Sequence, residues 1–369
     1  MEKGKLVLDG VKNRNTGLDV TRILAYITVL SVHFFLNNEF YDTPMQGWRM
    51  NIMGAMRTLF MICVPLFMLL TGYLSAEKHI EVSKKGLLQY YSRLLPILLT
   101  YALADVLILL TRRFCLGENI TWKDYFWNVL NYQQYSWYMN MYLGFALLIP
   151  FLNVLWRGLN SKQEQKMLVL VLIATTMLPT MLNAATRLIP DWWKGIYPIT
   201  YYYIGAYLKK NVEIQKLPTV KLVGLLLVSW TTFSALNVYV SRGQNFTWTY
   251  WGDEWGGIQN VLNTVLVFLI INSIHYPLMK QGTAKLLAYV SKITLPAYLL
   301  SWIPDRLNYP KLNAAVNPMP MRLKYFPLMV GSSIVVSLIL AALVHECTQL
   351  ILRGAGLLKK KLKKNESSI

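Results

Sequence analysis

Asp19, Arg22 and His33 share the first long apolar stretch of the chain, where each charge placed in hydrocarbon costs roughly 2.5 to 3.5 kcal/mol and so asks for a reason. Asp19 and Arg22 stand one helical turn apart and can pair. His33 follows Arg22 by eleven residues, which at about 100° per residue makes three turns plus some 20°. Both side chains therefore lie on one helix face, about 16 Å apart along the axis. Thr28 and Ser31 sit near that face. A neutral imidazole is well suited to accept and return a proton near neutral pH, so His33 is the candidate base, with Arg22 and Asp19 beside it. The plain structural alternative is a snorkelling Asp19–Arg22 pair and a histidine hydrogen-bonded to a neighbouring helix.

Asp105, inside a later apolar stretch, is a further acid that could polarise His33 or line a substrate path. His345 and Glu346 are adjacent, point to different faces of a helix and form no cluster by themselves. Aromatic residues crowd two regions, Trp122 to Trp137 and Phe246 to Trp255, the second around Trp251 and Asp253. Such rings stack on sugar faces, and an interfacial aromatic belt asks for the same residues. Trp137, Trp251 and Asp253 are the candidates there for holding an acceptor.

The elements that position these residues follow from composition. The chain has 369 residues, 54% of them hydrophobic. Apolar stretches of near-spanning length recur from Leu18 to Leu350, which predicts an all-α polytopic membrane protein, a bundle of about ten transmembrane helices. The expected segments are 18–36, 56–76, 93–111, 137–156, 167–183, 197–208, 222–240, 258–274, 293–303 and 327–352. The sixth and ninth are short. Leu18 to Leu36 is too long for a signal-peptide core and no small-residue cleavage site follows it, so it is read as a retained helix. With both termini cytoplasmic, 24 Lys and Arg residues fall in inner loops and 12 in outer ones, the asymmetry that sets orientation. The domains expected are a cytoplasmic segment 1–17, a membrane domain 18–353 and a basic tail 354–369.

The net charge of +19 is scattered through short loops with no recognition helix, so a nucleic-acid partner is not expected; the bilayer is. Cys63, Cys115 and Cys347 are too widely spaced to encode a disulfide framework or a thiolate metal site. No Gly-rich phosphate loop, metal-ligand spacing or nucleophile elbow is present.

Several stretches together resemble the membrane acyltransferase 3 family. Leu18 to Phe35, with Arg, ten residues and His, is similar to the family's first-helix signature, and Val64-Pro65-Leu66-Phe67-Met68-Leu69-Leu70-Thr71-Gly72-Tyr73-Leu74 to its second-helix pattern. Ser92-Arg93-Leu94-Leu95-Pro96 looks like the start of its third helix, and Trp137-Tyr138 through Pro150 like its fourth. The resemblance implies a multi-pass cell-membrane O-acyltransferase with His33 as catalytic base and Arg22 as its partner. It also implies no bound cofactor, acyl-CoA as co-substrate, and a cell-surface or lipid-linked glycan as acceptor. Arg93 matches one of the family's two donor-binding arginines, but Tyr90 occupies the other position, where Lys84 or Lys85 could compensate. Tyr298-Leu299-Leu300-Ser301 likewise carries serine where a late-helix histidine is frequent. A glycan exporter or secondary transporter would use the same buried charges as a substrate path.

Overall fold

The computed structural model describes residues 15–131, 134–182, 189–249, 255–276 and 280–366. In chain order the main helices are α1 Thr16–Asn37, α2 Gly47–Phe60, α3 Cys63–Ser75, α4 Lys84–Tyr91, α5 Leu95–Phe114, α6 Trp122–Asn131, α7 Trp137–Gly158 and α8 Lys162–Thr176. They continue as α9 Tyr197–Asn211, α10 Thr219–Val240, α11 Ile258–Ser273, α12 Gln281–Lys292, α13 Thr294–Leu300, α14 Trp302–Ala315 and α15 Phe326–Glu366. No strand occurs among the described residues; isolated bridges join Pro44 to Asn245 and Met45 to Arg242. Local chemistry fixes several helix starts. Asn15 and Ser83 accept from the amides of Gly17 and Gly86, Ser161 and Glu164 form a reciprocal capping box, and Pro96 and Pro198 stand in first turns.

Six helical runs are long and apolar enough to cross a membrane alone, and Gln281–Lys292 with Thr294–Ala315, bent by 53°, is a seventh if read as one span. The chain is thus an all-helical membrane protein. Each of the ten expected stretches meets a helix, but α8, α9 and α11 have 15, 15 and 16 residues. Their rise of at most about 24 Å falls short of a hydrocarbon core of roughly 30 Å, which is why fewer than ten qualify by length.

α1 is the central element. Ala25, Tyr26, Leu30, Phe34 and Phe35 are buried in it, and α2, α3, α11, α12, α13 and α15 pack around it. The closest crossing joins α3 to α9, where a Cβ on Gly72 would stand 1.9 Å from the Tyr202 carbonyl oxygen and one on Gly205 2.0 Å from that of Leu69. Only hydrogen fits at either position.

Hydrogen bonds gather the connecting turns at two ends. At the start of α1, Asn272 donates to Thr21, Gln215 donates to the Asn272 carbonyl, and Asn153 donates to the carbonyls of Ser75 and Lys78. At its finish, Asn313 donates to the Asn37 carbonyl, and buried Arg322 donates to the carbonyls of Asn38, Asn313 and Val316 while pairing with Glu39 at 2.9 Å. The Met45 amide donates to the Gln244 carbonyl nearby in the same loop layer.

Candidate active site

α1 presents Arg22 and His33 to one cavity of about 440 Å³. At the Arg22 end, its Nη1 donates to Ser291 Oγ at 2.8 Å and stands 3.7 Å from Asp19 Oδ1, and exposed Lys292 completes the rim. Ser291 and Lys292 close α12 just before the break at Ile293. The middle walls are apolar, formed by Val29, Val32, Val64, Phe67 and Leu295. At the far end stand His33, Tyr138 and Tyr298, with Trp137 stacked on Trp255 at 5.8 Å.

His33 Nδ1 lies 3.3 Å from Asp305 Oδ2, both side chains being almost fully buried. The approach is within ion-pair range but off the line that a hydrogen bond needs, and Nδ1 has no other hydrogen-bond partner. Asp305 is itself held. Ser333 Oγ donates to Oδ1 at 2.5 Å and the Tyr135 hydroxyl to Oδ2 at 3.0 Å, while Asn37 Nδ2 donates to that hydroxyl at 2.9 Å. The Tyr135 ring covers the imidazole with centroids 3.9 Å apart, and the Tyr298 hydroxyl donates to the Tyr135 carbonyl. With Nδ1 turned to the carboxylate, the Nε2 edge is left for the cavity. A carboxylate facing one imidazole nitrogen, with the other nitrogen left for a substrate, is an arrangement that a general base can use.

Asp105 does not fill the place that its sequence position invites. It is buried in α5, its Oδ2 has no hydrogen-bond partner and it does not line the cavity; the acid beside His33 is Asp305. Sequence reading missed Asp305 because the apolar window closes at residue 303, whereas α14 carries the helix to Ala315. Tyr135 was legible only as one of many rings, and Lys292 only as a loop charge. Their signal is tertiary.

The donor candidates divide. Arg93 and Tyr90 meet in a smaller pocket of about 180 Å³ with His79, Glu81 and Gln89, while Lys84 and Lys85 are exposed in the first turn of α4 and line neither pocket. Of the acceptor candidates, Trp137 lines the main cavity; Trp251 and Asp253 lie outside the described residues. His345 and Glu346 neighbour Tyr289 on α12, with a 3.4 Å hydrogen bond from the Tyr289 hydroxyl to Glu346 Oε1, and do not reach the cavity. Ser301 donates to the Tyr298 carbonyl at the α13–α14 break. Among the described residues no group of three or more His, Cys, Asp or Glu side chains converges as a metal site.

A family model described as an acyltransferase domain matches residues 15–342. No curated protein and no solved structure matches the chain.

Proposed function

The chain belongs to the acyltransferase 3 family, and from that membership we propose that it moves an acyl group, in the simplest case acetyl, from acyl-CoA to a hydroxyl of a cell-surface or lipid-linked glycan. One observation carries this reading: a single cavity joins a cationic end at Arg22 and Lys292 to a buried histidine at the other. A CoA thioester has the same build, with phosphates at one end, a reactive carbonyl at the other and a narrow, weakly polar arm between. Arg22 and Lys292 neutralise the phosphates, the valine and phenylalanine walls take the arm, and the thioester carbonyl rests beside His33.

There the Nε2 edge of His33 takes the proton of the acceptor hydroxyl. The acceptor oxygen bonds to the acyl carbon, the carbon–sulfur bond breaks, and the proton passes from Nε2 to the departing CoA sulfur, so that His33 ends as it began. Asp305 holds the ring in place and offsets the positive charge it carries midway, and Tyr135 and Ser333 hold Asp305. General-base help of this kind contributes roughly 10²- to 10⁴-fold in rate.

In this scheme the short helices α8, α9 and α11 complete their crossings with flanking residues, giving about ten crossings with both termini in the cytoplasm; Arg22 and Lys292 then face the side that supplies acyl-CoA and the Trp137 rim faces the acceptor, in a multi-pass protein of the cell membrane. The excess of Lys and Arg in the inner loops supports this orientation. Acyl-CoA is consumed as co-substrate, with no resident cofactor in the scheme. The test is transfer of labelled acetyl from acetyl-CoA to polysaccharide by purified protein in detergent. Wild type forms an alkali-labile ester, and His33→Gln, which keeps a hydrogen bond but shuttles no proton, loses at least roughly 10²-fold in rate while still binding acetyl-CoA. An active His33→Gln protein removes the reading. Loss of glycan export in that variant, with no ester ever formed by wild type, assigns the cavity to transport.

A further inference from the structure

Tyr135 also lines a second cavity, of about 410 Å³, whose other walls are Asn37, Arg112, Glu118, Trp302 and Arg306. It differs in character from the first, its lining being mainly polar. The turn of α14 that gives Asp305 to His33 gives Trp302 and Arg306 to this pocket, one helical turn apart. Arg112 Nε is bonded to Glu118 Oε2 at 2.6 Å, so those charges cancel, and Arg112 Nη1 leans on Asn128 Oδ1 at 3.4 Å. Arg306 has no acid partner among the described residues and is exposed. The uncompensated charge of the pocket is therefore its guanidinium, a planar donor that matches a carboxylate or phosphate. Asn37 and Tyr135, hydrogen-bonded to each other, add neutral polar residues to the lining, and Trp302 adds an aromatic surface of the kind sugars stack on.

Resting on the function proposed above, we infer that this second pocket seats the anionic group, carboxylate or phosphate, of the acceptor glycan, with Arg306 on the anion and Trp302 against the sugar. Tyr135 is the partition. The residue lines this pocket and its ring lies on His33, so an acceptor held by Arg306 has its hydroxyls one side chain from the base.

Calorimetry on the purified full-length protein tests this with glucose, glucuronate and a short prenyl-phosphate sugar. At least one anionic probe binds wild type roughly tenfold more tightly than glucose, about the worth of one charge-assisted hydrogen bond. Arg306→Gln erases the difference, Arg306→Lys keeps part of it, and the control Arg242→Gln, at an exposed site outside both cavities, keeps it whole. Retained acetyl-CoA binding shows that each variant is folded. Stronger binding of glucuronate points to a finished polymer as acceptor, and stronger binding of the prenyl phosphate to a lipid-linked unit. Equal binding of all three probes, or a preference that survives Arg306→Gln, overturns the inference. Acetyl transfer by the same wild-type preparation reports separately on the proposed function.

Discussion

In the role proposed for His33 a carboxylate faces one ring nitrogen and the other serves as base, and the groups behind that carboxylate stand three layers deep. Asp305 meets Nδ1, Tyr135 and Ser333 donate to Asp305, and Asn37 donates to Tyr135. Asp305→Asn presents one acceptor where the carboxylate presents two, so either Tyr135 or Ser333 loses its partner, and the charge that would balance an imidazolium is gone. The expected result is a fall in kcat for acyl transfer of roughly 10²- to 10⁴-fold with the KM for acyl-CoA little changed. A KM effect with kcat intact would make Asp305 a packing residue. At this scale the sequence disclosed His33 and Arg22 because a charge in an apolar run stands out by its cost. It did not disclose Asp305, Tyr135 or Lys292, each of which reads locally as the ordinary content of a loop or an interface.

At the scale of elements, the geometry depends on two backbones in contact and on one broken span. Gly72, which in sequence is only part of a motif, has a physical office in the fold: it lets α3 meet the Tyr202 carbonyl of α9. Gly72→Val should therefore force the helices apart and cost about 3 kcal/mol or more, read as a marked fall in thermal stability in detergent. Gly144→Val, where an added Cβ meets nothing, is the control, and equal behaviour of the two would contradict the close crossing. The spanning helices were legible as apolar runs, several of them with a cap or a proline at the start. The interruptions are marked more faintly, by Pro296 and Pro304, each three residues past the breaks at Ile293 and Ser301, where α12 and the helices after it bend by 53°.

For the molecule as a whole, orientation is the property on which the proposed chemistry turns, because that scheme draws donor and acceptor from opposite sides. Single cysteines at Lys84, Lys162 and Lys216 should be shielded from an impermeant reagent in intact cells, and those at the exposed positions Asn119 and Gln244 should be labelled. Labelling of positions 84 and 119 from the same side would remove the orientation, and with it the supply of donor at Arg22. The loop charges, 24 against 12, make this expectation legible from sequence; the gathering of loops by Asn272, Asn153 and Arg322 is not, because it joins residues far apart in the chain.

The surroundings of α1 also set a schedule for biogenesis. Thr21, Arg22, Tyr26 and His33 find their polar partners in Asn272, Ser291, Ser337 and Asp305, so the first helix synthesised waits for the last third of the chain. Until then Thr21 has the Gly17 carbonyl and Arg22 has Asp19 within α1 itself, but the Tyr26 hydroxyl and the His33 imidazole sit in the bilayer without Ser337 and Asp305, at a cost in free energy. A chain stopped at residue 280 should be cleaved quickly by added protease, and a fragment 281–369 supplied in trans should restore both resistance and acyl transfer. If the truncated chain resists protease as well as the full-length one, α1 is stabilised by its early neighbours alone and the schedule does not hold.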